Sequence, residues 1–351
     1  MKIIKRITAL FLAAAMLVST TACSSDKSWC AKSDRMTVPI GSYIYNLFSA
    51  YENAASQVSD TSKSVLDQKV EKKDATTWIR EKALNSTKSL FVIDQKMKDM
   101  KLSLSAADKS AIKSNTDSFW DQYQSTLEGY GIAKSSYELA ATEYEQKYQK
   151  VFNATYGKGG TKAVSDSELQ NFFEKHYTDF SYILCKLYKT DSSGNYSSSF
   201  SAAEKKKAEA AFNGYASKIK AGTMTLQQAA DAYKSTDPTV SVQNKTINLD
   251  NYTQTEDLKK LLDGMKAGET KAAGLSGGYL YILVTKGDIT KKTAEEMKTD
   301  SGRSSLLTDY KGQEFSDEIS KEADSIKGVT LNEKAINSYN PSMFVSESES
   351  E

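Results

Sequence analysis

The sequence predicts an α+β protein in which a helical domain, completed by a C-terminal helix, carries a compact α+β domain inserted between its two parts. Three observations lead there. Apolar residues recur at steps of three and four from Pro39 to about Phe173. The apolar run TDFSYILCKLY at 178–188 then opens a stretch where strand and helix patterns alternate. Finally, a helical pattern returns from Lys292 to about Ile326. Only three prolines occur in 351 residues, which suits long uninterrupted helices better than a sandwich rich in turns.

The chain opens with the basic MKIIKR, continues through the apolar ITALFLAAAMLVS and reaches TTACSS, the pattern of a secretory signal peptide over residues 1–22. The apolar part is shorter than the roughly 20 residues a spanning helix needs. Ser19, Thr20, Thr21 and Ala22 resemble a bacterial lipobox, with Thr20 where leucine is usual. That resemblance implies that Cys23 receives a diacylglycerol and becomes the mature N-terminus, with 23–35 as a lipid-anchored tether. The protein is then expected outside the cytoplasm, anchored as a lipoprotein to the outer face of the cell membrane. The alternative is an ordinary signal-peptidase site with Cys23 as a bystander.

Loss of residues 1–22 removes Lys2, Lys5 and Arg6 and takes the net charge from +1 to −2, a balance that argues against nucleic acid as a partner. About 330 residues remain, more than one core usually serves, so two domains are expected. Cys30 falls in the early tail and Cys185 in a core strand, and they read as separate thiols rather than a disulfide framework.

The helical domain is expected to begin over 36–176. Its clearest stripe is Ile79, Ala83, Ser86, Leu90, Ile93 and Met97. Further stripes are Tyr43, Leu47, Tyr51, Ala54 and Val58, then Ile112, Phe119 and Tyr123, then Tyr137, Ala141, Tyr144, Tyr148, Val151 and Thr155. Ser165 and Glu168 form a capping box that starts a helix through Leu169, Phe172 and Phe173. Gly157, Lys158, Gly159 and Gly160 form a loop without the strand and spacing a phosphate-cradling loop needs.

The inserted domain is expected over 177–290. In its opening strand Phe180, Tyr182 and Leu184 share one face, and Ser181, Ile183, Cys185 and Leu187 the other. Apolar residues on both faces indicate burial on both sides. A polar loop DSSGNYSSS follows, then helices over Ala202–Lys220, with a stop at Gly222, and Thr225–Tyr233. The strand-like TVSVQNKTINL, a helix from Gln254 to Met265 and the strand GGYLYILVTKGD complete the order. A C-terminal helix over 291–340 packs on the helical domain, and the acidic tail 341–351, ending SESESE, is too polar to fold.

In this order of parts the chain resembles the extracytoplasmic foldases of the PrsA and SurA type, a helical chaperone domain carrying a parvulin-type peptidyl-prolyl isomerase domain. The matching stretches are FSYIL at 180–184, KAGTMTLQQAADAYKSTDP at 220–238, LKKLLDGMKAGET at 258–270 and GGYLYILV at 277–284. The resemblance implies unfolded secreted polypeptides as partners, a membrane reached through the lipid anchor, no nucleic acid and no cofactor. It also implies an isomerase pocket, but the family's two histidines fall on Tyr182 and on Leu280 or its neighbour Tyr281. The pocket methionine falls near Gln254. Asp237 stands at the family's acid or cysteine position and Leu258 at its pocket phenylalanine. Prolyl isomerisation breaks no covalent bond. It needs a polar network that supports the twisted imide against a barrier of about 18–20 kcal/mol, so a parvulin-like domain without these histidines is expected to be inactive or nearly so.

The other reading of the same residues makes Tyr182 a core aromatic and Asp237 the cap of a turn before Pro238. Among other chemistries, the single histidine, His176, excludes a multi-histidine metal site, and the two later cysteines match no zinc or redox spacing. Client binding is expected on the helical domain, whose share of the 20 tyrosines suits contacts apolar on the ring and wet at the hydroxyl. Two rivals stand beside this reading: an active isomerase with a divergent pocket, and a solute-binding or adhesion lipoprotein. The second would show alternating strands and helices in two lobes.

Overall fold

The computed structural model describes residues 27–60, 62–191, 193, 195–251 and 256–345. The signal peptide, Cys23 and Gln254 lie outside the described residues. The protein is α+β and divides into two compact units, one of residues 1–163 with 311–351, the other Val164–Tyr310.

In the first unit, strands β1 (Trp29–Lys32) and β2 (Thr37–Pro39) pair antiparallel and lead into helix α1 (Ile40–Gln57). A small hairpin of β3 (Lys69–Val70) and β4 (Lys73–Asp74) follows. Asp74 then caps α2 (Ala75–Asp99), its carboxylate accepting from the Thr77 amide at 3.1 Å. A capping box of Ser105 and Asp108 starts α3 (Ala106–Gly129), and α4 (Lys134–Tyr137) runs through a π-helical segment, Glu138–Glu143, into α5 (Tyr144–Tyr156). α1 and α4 approach closely at Gly41, where a Cβ would stand 2.6 Å from Ser136 Oγ.

The second unit opens with α6 (Asp166–His176), started by the expected Ser165 and Glu168 box, and continues into β5 (Tyr177–Lys186). β6 (Tyr188–Thr190) and β7 (Tyr196–Ser199) form a hairpin, and β7 lies inside the stretch expected as loop. Helices α7 (Ala202–Lys220) and α8 (Leu226–Tyr233) have capping boxes of their own, and Gly222, at φ 72°, ends α7 in a conformation that favours glycine. β8 (Gln243–Asn248), α9 (Glu256–Asp263), β9 (Thr270–Leu275) and β10 (Leu280–Lys286) complete an antiparallel sheet in the order β8-β5-β10-β9. Both sheet faces are covered: Ile183, Cys185, Leu187 and Leu283 pack with Phe212, Ala229 and Tyr233 of α7 and α8, and Phe180, Ile282 and Val284 pack with Leu258 and Leu262 of α9.

The helical return expected from Lys292 is two helices, α10 (Ile289–Glu296) and α11 (Asp300–Ser325), and α11 is shared between the units at Tyr310. The second unit therefore exceeds the expected 177–290 at both ends. α10 packs on α6 and β5, and Phe172 of α6 meets Tyr310 at 4.8 Å between ring centroids. The buried Arg303 donates to Val164 O at 2.7 Å and to Asp166 Oδ1 at 2.8 Å.

The chain then returns to the first unit through β11 (Thr330–Leu331), α12 (Glu333–Ile336) and a 3₁₀ turn, Pro341–Phe344. Two expectations are corrected here. The tether 23–35 contains β1, held on both edges by β2 and β11, and its Cys30 and Ala31 are fully buried. The tail 341–351 begins with structure, because Phe344 is buried among Phe48, Tyr51 and Tyr130.

Candidate functional site

Two places in the molecule were open to a site, the sheet positions of the α+β unit and a cavity in the helical unit. In the sheet, side chains alternate between faces along each strand. The antiparallel register sets Val284 opposite Tyr182, Leu280 opposite Lys186 and Tyr281 opposite Cys185. Even-numbered residues of β5 and β10 therefore share one face and odd-numbered residues the other.

The candidate pocket residues divide along that line. Tyr182, Leu258 and Leu280 belong to the cluster under α9, where Leu258 is buried and the Tyr182 ring lies 5.6 Å from Phe180. Tyr281 belongs to the opposite cluster, its hydroxyl accepting from Asn213 Nδ2 of α7 at 3.2 Å. Asp237 follows α8 and holds a turn: its Oδ1 accepts from the Thr239 amide at 2.9 Å and the Thr239 hydroxyl at 2.6 Å. The sheet separates Tyr281 from Tyr182, Leu258 and Leu280, so these four do not share one face. The three that share a face carry no charge and offer a hydroxyl among leucines, which is no acid and base pair.

Near Asp237, Cys185 Sγ lies 3.0 Å from the Tyr233 hydroxyl. Burial raises the pKa of both groups, and for Cys185 the hydrogen bond to Tyr233 acts in the opposite direction. The thiol is thus a neutral core group. His176, at the end of α6, stacks beside Phe172 and pairs with Asp250, which also lies 3.6 Å from Lys259 Nζ. The His176 contact and then the Lys259 charge hold the Asp250 carboxyl below its ordinary range. The contact ties α6 to the turn after β8. Among the described residues no cluster of three or more His, Cys, Asp or Glu could hold a metal ion.

The helical unit holds a half-open cavity of about 440 Å³ between α1, α2, the π-helical segment, α5 and the later part of α11. Three tyrosines line it, Tyr45, Tyr144 and Tyr148, together with Asn46, Asn85 and five serines. Lys82 and Glu145 are also in the wall, and the apolar members are Ala140, Ala141 and Ile319. Burial raises the pKa of all three tyrosines, Tyr148 to about 12, so each hydroxyl is a neutral donor at physiological pH. The wall thus carries hydroxyl, amide and charged groups beside its tyrosines. Ser86, the small member of the clearest helical stripe, and Tyr144 and Tyr148 of another are the places where those stripes reach this space. Tyr45 and the π-helical segment escaped the sequence reading: Tyr45 lies off the Tyr43, Leu47 and Tyr51 stripe, and a π turn leaves no trace in residue periodicity.

The solved structures that the chain matches include three foldases. The foldase protein PrsA of Lactococcus lactis is 16% identical with a TM-score of 0.36, covering 91% of this chain and 99% of that one. PrsA of Streptococcus pneumoniae is 12% identical with a TM-score of 0.38, covering 74% and 88%. PrsA of Bacillus subtilis is 16% identical with a TM-score of 0.30, covering 75% and 92%. No family model matches the chain, and no curated protein matches it. At identities and scores this low, activity has to be argued from the chain's own residues.

Proposed function

We propose that the protein is an extracytoplasmic foldase of the chaperone kind, anchored through Cys23, that binds unfolded secreted polypeptides with its helical unit and whose parvulin-like unit has lost isomerase activity. The observation that supports the loss of activity is that Tyr182, Leu258 and Leu280 lie in the cluster on one face of the sheet and Tyr281 in the cluster on the other. An isomerase holds a twisted imide by groups that converge on it, and this arrangement supplies none. The cavity of the helical unit supports the binding role, because a wall of tyrosines and neutral polar groups suits many peptide sequences without selecting one. The anchor rests on the TTAC site alone, and no helix among the described residues is long and apolar enough to cross a membrane.

The test uses the whole chain. Suppression of aggregation of a denatured secreted protein, read by light scattering, should fall at least severalfold when Tyr144 and Tyr148 are both changed to alanine. Proline-peptide isomerisation should stay well below a kcat/KM of about 10⁴ M⁻¹ s⁻¹, the lower end of ordinary enzymes. Activity above that level would restore the divergent-isomerase reading, and unchanged light scattering would remove the cavity from client binding. Mass spectrometry of the N-terminal peptide tests the anchor: an unmodified peptide starting at Ser24 or later rules it out.

A further inference from the structure

The polar wall of the cavity in the helical unit divides into groups the protein already uses and groups it does not. Asn46 Nδ2 donates to Thr87 Oγ1 at 3.0 Å, Asn85 Nδ2 to Ser320 O at 2.9 Å, and Ser89 Oγ to Asn85 O at 3.0 Å. Tyr144 and Tyr148 are hydrogen-bonded to Ser89 and Ser316, and Glu145 accepts from Gln149 Nε2 at 2.8 Å. These groups are engaged. The side chains of Ser49, Lys82 and Ser86 and the hydroxyl of Tyr45, all in the wall, make no hydrogen bond or ion pair among the described residues. Ser49 and Lys82 are exposed and can be hydrated, but Ser86 and Tyr45 are half-buried, and the Tyr45 hydroxyl is desolvated enough that burial raises its pKa. A desolvated hydroxyl without a partner is costly, and a ligand that brings one recovers the cost.

The apolar part of the wall is small. Beyond the tyrosines it consists of Ala140, Ala141 and Ile319, so only one aliphatic side chain larger than a methyl group is present. A leucine or phenylalanine seated here would strip water from hydroxyl and amide groups and offer nothing in return. The wall also holds one cation, Lys82, and one carboxylate, Glu145, which gives no selection by charge sign. Along α2 the lining runs from Lys82 to Ser89, about 10 Å at the rise of a helix, the span of about three residues of extended chain.

We propose that the cavity grips an unfolded polypeptide by its main chain, taking extended segments of small and hydroxylated residues (Gly, Ser, Thr and Asn) in preference to aliphatic ones. Each peptide unit brings one N–H and one C=O, and a hydroxyl can accept from the first or donate to the second. Tyr45, Ser49 and Ser86 therefore serve either partner, and Lys82 donates to a carbonyl. Short side chains let the backbone come close to the wall, whereas a branched aliphatic one holds it away. Recognition of this kind tolerates many sequences because the main chain is common to all of them. The inference rests on the reading that this cavity is where clients bind, and it names the kind of segment bound there.

The experiment measures fluorescence anisotropy of short labelled peptides, uncharged and blocked at both ends, with the whole chain. One peptide is built of Gly, Ser, Thr and Asn, a second has Leu, Ile and Val at its three central positions, and a third is the first with esters in place of the central amides. The first should bind roughly tenfold tighter than the second. The ester peptide, which lacks N–H donors but adds no bulk, should bind about tenfold more weakly than the first, each hydrogen bond being worth on the order of fivefold. Tyr45→Phe with Ser86→Ala, which removes two hydroxyls, should weaken the first peptide by a similar factor, and circular dichroism shows that this variant is folded. Tighter binding of the aliphatic peptide, equal binding of amide and ester, or unchanged binding by the variant overturns the proposal. The foldase reading fails separately: if Tyr144→Ala with Tyr148→Ala removes aggregation suppression while the aliphatic peptide binds best, the cavity remains the client site and only main-chain recognition falls.

Discussion

Phe344→Ala should destabilise the helical unit although it lies seven residues from the end of the chain. Phe344 is 4% exposed, and its ring lies 4.9 Å from Tyr130 in a perpendicular contact, 5.4 Å from Phe48 and 5.8 Å from Tyr51. Truncating a buried phenylalanine costs about 3–5 kcal/mol. Partial collapse of the surrounding rings into the space favours the lower figure, about 3 kcal/mol. For a unit of this size each kcal/mol moves the melting midpoint by about 2–4 °C, giving a fall of about 6–12 °C. Trp29, Trp78 and Trp120 are the only tryptophans and all belong to this unit, so a thermal melt followed by tryptophan fluorescence reads it selectively. Lys334→Ala, an exposed position of α12, is the control and should move the midpoint by no more than about 1 °C. A Phe344→Ala midpoint within that same margin would refute the packing of the C-terminal segment in the core.

Gly41→Ala should lower the same transition by about 1–3 kcal/mol, since the new Cβ would stand 2.6 Å from Ser136 Oγ, and Ser136→Gly should restore much of the loss. Arg303→Ala should destabilise the α+β unit by about 1.5–3 kcal/mol in urea unfolding followed by circular dichroism, because both of its charge-assisted hydrogen bonds go. Cys30 and Cys185 should react with a thiol reagent at pH 8 only on unfolding. Burial pushes the Cys30 thiol from 9.0 up to about 12, so ionisation of the unfolded chain should erode stability as pH rises from about 9 towards 12, and a flat stability across that window in a Cys185→Ala background would contradict it.

What the sequence made legible was local. The Ser165 and Glu168 box needs only four consecutive residues, and the alternation across 178–188 declares both faces of β5 by itself. α7 was readable to its ends for the same reason, a capped start and a glycine stop. β9, TKAAGL, was missed because small residues carry no period that separates strand from loop, and it becomes a strand through pairing with β10. β1 and β11 were missed because two- and four-residue strands have no pattern, and their pairing joins Ala31 to Leu331 across nearly the whole chain. Linear order left open whether Leu280 or its neighbour Tyr281 shares a face with Tyr182, because only the register of β5 and β10 says which face of the sheet a residue takes. The cavity was illegible because five separate elements contribute its wall.

The pairing of β11 with β1 also sets an order of events during biogenesis. A chain emerging N-terminus first delivers the whole of Val164–Tyr310 before it delivers Thr330. The α+β unit is contiguous and can complete itself as it appears, while the helical unit waits with the free edge of β1 and the place of Phe344 unfilled until the last stretch arrives. Its completion therefore follows the synthesis of Thr330–Phe344, and a product truncated before Thr330 would be left with a finished insert on an open host.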